Sequence, residues 1–109
     1  MKSITIHQPD HLPYPGFFSK VLSANTYLIL DHVQYKKGNF QNRNKIIDKH
    51  KNEKWITLPI QKMPLNTPIN KINLSSHPKM IEKYLNSLYE SYENFINSRE
   101  ILSYIEDTI

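Results

Sequence analysis

SITIHQPDHLPYPGFFSKVLSANTYLILD, residues 3–31, is the stretch whose reading decides the fold. Ser3–His7 alternates and is rich in β-branched residues, which predicts a strand. Pro9, Pro13, Pro15 and Gly16 follow in close succession. Pro15 stands where a first helical residue is expected, because its fixed φ suits that place. Phe17, Phe18, Val21 and Leu22 recur at helical spacing and predict a short helix over about residues 15–24, with Asn25 as terminator. Tyr27–Leu30 is an unbroken apolar run, the pattern of a strand buried on both faces, and it stops at Asp31. The unit is strand–helix–strand, most simply parallel with a right-handed crossover. His7 and Asp31 then fall at the carboxyl ends of their strands, where open α/β sheets place ligands. The prolines preset the loop, so that His7 and Gln8 are held with little entropy left to lose on binding.

Working outward, the middle of the chain is less regular. Val33–Tyr35 and Asn39–Gln41 mix polar and apolar residues, and Gly38 marks a turn. Trp55–Ile60 reads as a strand with Trp55 in the core, Met63–Pro68 as a loop, and Ile69–Leu74 as a short edge strand. From Ser76 the period changes. Ser76 is a candidate cap with Pro78 in the first turn, and Ile81, Tyr84, Leu85, Leu88 and Tyr92 form one apolar stripe. Asn97 is a second cap, with Glu100 in the reciprocal position and Ile96 placed to staple against Ile101. Ile101, Leu102, Ile105 and Ile109 extend the stripe. The expected fold is α/β: a small, mainly parallel sheet with packed helices and a C-terminal helical pair, forming a single domain over residues 1–109.

Composition narrows the function classes. The 109 residues include no cysteine, so disulfides, thiol nucleophiles and iron–sulfur clusters are out. No apolar run approaches the ~20 residues of a membrane span, and the N-terminus lacks the apolar core of a signal peptide; the expected location is the cytoplasm. The net charge of +4 is divided, with +8 over residues 1–80 and −4 over residues 81–109. The basic part peaks between Lys36 and Lys54, which suits a phosphate-bearing partner.

Two glycines leave no phosphate-cradling loop or dinucleotide fingerprint. His7 and His11 have the spacing of a helical metal pair, but Pro9 and Pro13 forbid a regular helix there, and no metal or other cofactor is expected. Asp31 at a strand end is a candidate base, hydroxyl-binding carboxylate or turn former, and with His7 it would make an acid–base pair. The run Gln34–Asn44 surrounds one arginine with amides. Arg43 offers a planar fork for phosphate or carboxylate, and the amides offer paired donors and acceptors for a sugar. Tyr35 and Phe40 would add stacking faces, as in single-stranded nucleic-acid binders.

Several segments, in order, resemble the WbqC-like proteins found in bacterial gene clusters for O-antigen and other surface polysaccharides. The family's opening strand and Q-P-x-x-x-P-x-x-G-[YF] loop match Gln8, Pro9, Pro13, Gly16 and Phe17. Its D-x-V-Q-[YF] element matches Asp31, Val33, Gln34 and Tyr35, and N-R-N matches Asn42, Arg43 and Asn44. Family members continue into a second α/β half, so the chain resembles the family's N-terminal half. The resemblance implies a group transferase in O-antigen or surface polysaccharide biosynthesis, with acyl or aminoacyl transfer to a nucleotide-linked amino sugar as the implied chemistry.

Residues and resemblance together give a reading with His7 and Asp31 as catalytic candidates. Gln8, His11, Gln34, Asn42, Arg43 and Asn44 are the substrate-binding candidates, and the ligand is a small phosphate-bearing molecule. A homodimer, or a partner supplying the missing second half, would cover the apolar helix stripe, each fully buried side chain contributing roughly 1.5–3 kcal/mol. The alternative is a non-catalytic module that binds a nucleotide sugar or nucleic acid. Nucleic acid is the less favoured of these, given the interspersed amides.

Overall fold

The structure, a computed structural model, describes all residues 1–109. Strand β1 (Ile4–His7) runs into the proline loop, and helix α1 (Pro15–Leu22) begins with Pro15 in its first turn as the sequence predicts. Strand β2 (Thr26–Ile29) returns parallel to β1, pairing Ile4 with Thr26 and His7 with Ile29. The helix ends earlier than expected, and Asn25, just before β2, is tied to the residue preceding β1. Its side-chain oxygen accepts the Ser3 amide at 2.9 Å, and its own amide donates to the Ser3 carbonyl at 3.1 Å.

A second sheet is an antiparallel hairpin of β3 (Arg43–Ile47) and β4 (Glu53–Thr57). Its turn is built on Asp48, whose side chain accepts the amides of His50 and Asn52 at 2.8 and 2.9 Å. These bonds favour the charged carboxylate and hold the Asp48 pKa below the usual range. Strand β4 starts earlier than the sequence predicts and stops before Pro59, which has no amide to donate to a ladder. Ile69–Lys71 forms a short 3-10 helix where an edge strand is expected, and Leu74 bridges across to Ile60. Helices α2 (Pro78–Tyr92) and α3 (Ser98–Thr108) complete the chain, so the fold is α/β with a C-terminal helical pair.

Both helix caps differ from expectation. His77, not Ser76, precedes α2, and its amide donates to the Ser75 hydroxyl at 3.2 Å. Asn97 caps α3 by position but sits at φ 63° with no side-chain cap bond. The asparagine is there because it tolerates the left-handed conformation that turns the chain between the helices. No capping box forms, and Ile96 and Ile101 stay exposed.

The core lies between the hairpin and the helical pair. Alternation along the strands points Ile46 and Ile56 inward, onto Tyr84 and Leu88 of α2 and Leu102 of α3. From the first unit, Leu12 and His11 of the proline loop pack on this cluster, His11 against Tyr84. Phe17 of α1 instead meets Tyr27 and His7 edge-on, with centroids 5.9 and 5.1 Å apart, covering one face of the parallel pair. The other face carries Ile4, Ile6 and Leu28 into solvent, which overturns the expectation that β2 is buried on both sides. This division makes a stability prediction. Ile46→Val lowers stability by about 1 kcal/mol through the lost methylene and its residual cavity. Leu22→Ala, at a position 82% exposed, changes stability by less than about 0.5 kcal/mol. Urea unfolding of the two variants checks the contrast.

Candidate functional site

The proline loop is locked against the rest of the molecule, and this places the end of β1. The His11 amide donates to the Phe40 carbonyl at 2.8 Å. Asn44 donates its side-chain amide to the Leu12 carbonyl at 2.8 Å, and Gln41 donates to the Gln8 side chain at 2.9 Å. Leu12 takes φ 45°, a left-handed conformation costly for a leucine, held by these bonds and by its burial against the core. Below it, the Tyr84 hydroxyl and His11 Nε2 share a hydrogen bond of 2.5 Å. Burial disfavours charge on both partners, pushing His11 down to about 4 and Tyr84 up to about 12. His11 and Asn44 therefore spend their polar groups on holding the loop.

At the end of β1, His7 Nδ1 lies 2.7 Å from the Gln8 carbonyl oxygen. A carbonyl only accepts, so Nδ1 carries the proton and Nε2 presents its lone pair with no partner in the chain. The Asp10 carboxylate stands 3.9 Å from Nδ1. Burial raises the Asp10 pKa, and the nearby His7 pulls it back. No hydrogen bond or ion pair joins His7 to Asp31, so the carboxylate beside His7 is Asp10. The H-x-x-D spacing of His7 and Asp10 is the signal the sequence holds for this pair. Asp31 lies beyond β2, its carbonyl accepting the Asn70 amide at 2.9 Å. The Gln34 side chain is exposed, and its backbone bridges to Pro68.

The second centre is a cleft of ≈ 540 Å³ at the base of the hairpin. One wall is the solvent side of β3 and β4, where Arg43 pairs with Thr57. The other is the segment from Leu58 to Ile72, laced to its neighbours by backbone bonds such as Tyr35 to Thr67 and Gln61 to Asn73, at 2.9 and 2.8 Å. Asn42 is buried between the walls. It accepts the Tyr35 hydroxyl at 2.9 Å and donates to the Leu58 carbonyl at 3.0 Å, so its amide is used within the fold.

Arg43, Lys37 and Lys62 line this cleft, and no carboxylate does. The Arg43 guanidinium makes no ion pair, and its Nε is buried without a hydrogen-bond partner. Its carbon stands 4.2 Å from the centre of the Trp55 ring, a cation–π contact that holds the planar group in place. A partly desolvated, positioned and unpaired guanidinium is a receptor for a phosphate or carboxylate. Lys62 and Trp55 were missed from the sequence: Lys62 sits in a loop without periodicity, and Trp55 was read as core. Trp55 is on the outer face of β4 and 45% exposed. No group of three or more metal-ligating side chains comes together anywhere in the chain, and no helix is long and apolar enough to cross a membrane.

A small α/β domain with a locked histidine loop and a cationic cleft is the class these observations define. The WbqC-like protein family matches residues 8–109, and the chain belongs to that family. An uncharacterized protein of Mycobacterium tuberculosis (strain ATCC 25618 / H37Rv), Rv1507c, is 34% identical over 61 residues. That stretch covers 56% of this chain and 26% of the relative. No solved structure matches.

Proposed function

We propose that the protein is a group transferase acting on a small phosphate-bearing sugar, in the surface polysaccharide assembly that the family resemblance implies. The observation that carries this reading is the cleft with three cations and no carboxylate, centred on the unpaired Arg43. Opposite charge in a partly desolvated site is worth more than on an open surface, so the cleft selects an anion of one or two phosphate groups. His7 supplies the proton-transfer step: its free Nε2 takes the proton from an amino or hydroxyl group of the sugar as that group attacks the carbonyl of an activated acyl or aminoacyl donor. The bond to the donor's leaving group then breaks as that group departs with the proton returned by the imidazolium. Asp10 stabilises the imidazolium that forms.

The cleft is tested by thermal shift with pyrophosphate and a panel of nucleotide sugars, comparing the natural chain with Arg43→Ala. A ligand at a hundred times its Kd stabilises the folded state by about 2.7 kcal/mol. Arg43→Ala is expected to weaken binding roughly 10–100-fold, the worth of a lost charge-assisted bond, and so to remove most of the shift. Equal shifts in both proteins would place the anion elsewhere. Saturable binding without product from any donor would make the chain a binding module and remove His7 from the chemistry.

A further inference from the structure

We infer that Trp55 and Phe40 form a base-stacking subsite beside the cationic cleft, so that the ligand is a nucleoside diphosphate carried with its base on the outer face of the hairpin. This rests on the reading of the cleft as a phosphate site and adds the part of the ligand that the cleft does not hold. The register supplies the layout. On the solvent side, Trp55 pairs with Lys45, and one same-face step along the strands brings Thr57 opposite Arg43, where the cleft begins. That step is roughly 7 Å, comparable with the reach from a nucleobase to its phosphates.

The two rings are placed for a flat ligand. Their centroids are 6.0 Å apart with planes inclined at 34°, and each ring keeps about half its surface open, 45% for Trp55 and 51% for Phe40. Neither belongs to the core, which β4 supplies through Ile56 on its other face. Two cations flank Trp55, but they are not equivalent. Lys45 is paired with Glu53 at 3.2 Å, whereas Arg43 has no acidic partner. Arg43 therefore joins the two subsites, its plane against the indole and its N–H groups available to a phosphate. A phosphorylated sugar alone would leave both rings wet; a nucleotide uses them through the π-face that every base has. A single strand of nucleic acid would need a groove that tracks a backbone, and here the face ends in a bounded cleft.

The chain has one tryptophan, so its fluorescence reports on this subsite alone. The test titrates the full chain with UDP, ADP, GDP and dTDP, with pyrophosphate, and with a short oligothymidylate, following tryptophan emission and heat of binding. At least one nucleoside diphosphate is expected to quench Trp55 and to bind about tenfold or more tighter than pyrophosphate, the scale of one stacked base. In Trp55→Leu the advantage of that nucleotide over pyrophosphate is expected to disappear, with Trp55→Phe in between. Nucleotides and pyrophosphate binding equally, without quenching, would overturn the stacking subsite and leave the phosphate cleft standing. No binding of any diphosphate would overturn both. Tight, steeply salt-dependent binding of the oligothymidylate alone would replace the nucleotide with a single strand.

Discussion

Acidification from pH 7 to pH 4.5 is expected to destabilise the fold through one largely buried imidazole, that of His11 in its bond to Tyr84. His11 is neutral in the folded state, with its pKa depressed to about 4 by burial. In the unfolded chain it returns to about 6.5. Between those values the unfolded state binds more protons, so stability rises with pH across the window. The contribution is complete above about pH 6.5 and is lost as pH falls toward 4. The full difference corresponds to about 3 kcal/mol as an upper bound, reduced by the part of the ring that water still reaches. A cooperative unfolding curve measured every half unit of pH reads this directly. In His11→Gln, which keeps a polar side chain but does not titrate, the slope between pH 6.5 and 5 is expected to flatten. A slope unchanged in that variant would mean that other groups carry the acid sensitivity. On the alkaline side the sign reverses. Tyr84 is pushed up to about 12, so its contribution is complete below about pH 10 and falls as pH rises toward 12. The consequence reaches beyond stability, because this bond fixes the loop that positions His7.

The elements that could be read from the sequence are those specified by neighbours in the chain. The start of α1 follows from Pro15, and the α2 stripe follows from Tyr84 and Leu88, which are buried as the helical period requires. The parallel pairing of β1 and β2 follows from a connection that is too long for a hairpin and holds a helix. What could not be read depends on distant partners. β3 contains two cations and one asparagine among its five residues, and only the register with β4 shows that Ile46 is the one that enters the apolar core. Large aromatics usually bury, yet the position of Trp55 on the pleat is set by Ile56, one residue away. The candidate site divides the same way. Arg43 was legible as an unusual arginine among amides, but which amides are free was not. Asn42 and Asn44 each meet a carbonyl far away in sequence, Leu58 and Leu12, and no local pattern encodes that. The carboxylate beside His7 was missed because strand-end logic pointed to Asp31, while the loop folds Asp10 back toward the ring.

Replacing His7 is expected to have the largest effect on turnover of any single change, and the reason lies in its tautomer. The Gln8 carbonyl fixes the proton on Nδ1, so Nε2 is a base without rotation or proton rearrangement. A positioned base of this kind accelerates proton transfer about 10²–10⁴-fold, and His7→Ala should lower kcat by that factor while leaving ligand affinity at the cleft unchanged. Asp10→Asn should lower kcat by a smaller factor, since the base survives but the imidazolium loses the negative charge standing 3.9 Å away. The two variants are linked by a second measurement that does not depend on knowing the donor. His7 opposes the burial that raises the Asp10 pKa, so removing it should move the Asp10 titration higher still, visible in the carboxyl carbon resonance across a pH series. An Asp10 titration that ignores His7→Ala would separate the two groups and leave the histidine without its charge partner. Unchanged turnover in His7→Ala would go further and assign the proton transfer to the substrate or to solvent, with the loop reduced to a binding wall. The opposite result, turnover lost with nucleotide affinity intact, would tie the chemistry to the end of β1 and explain why so many bonds converge on one short loop.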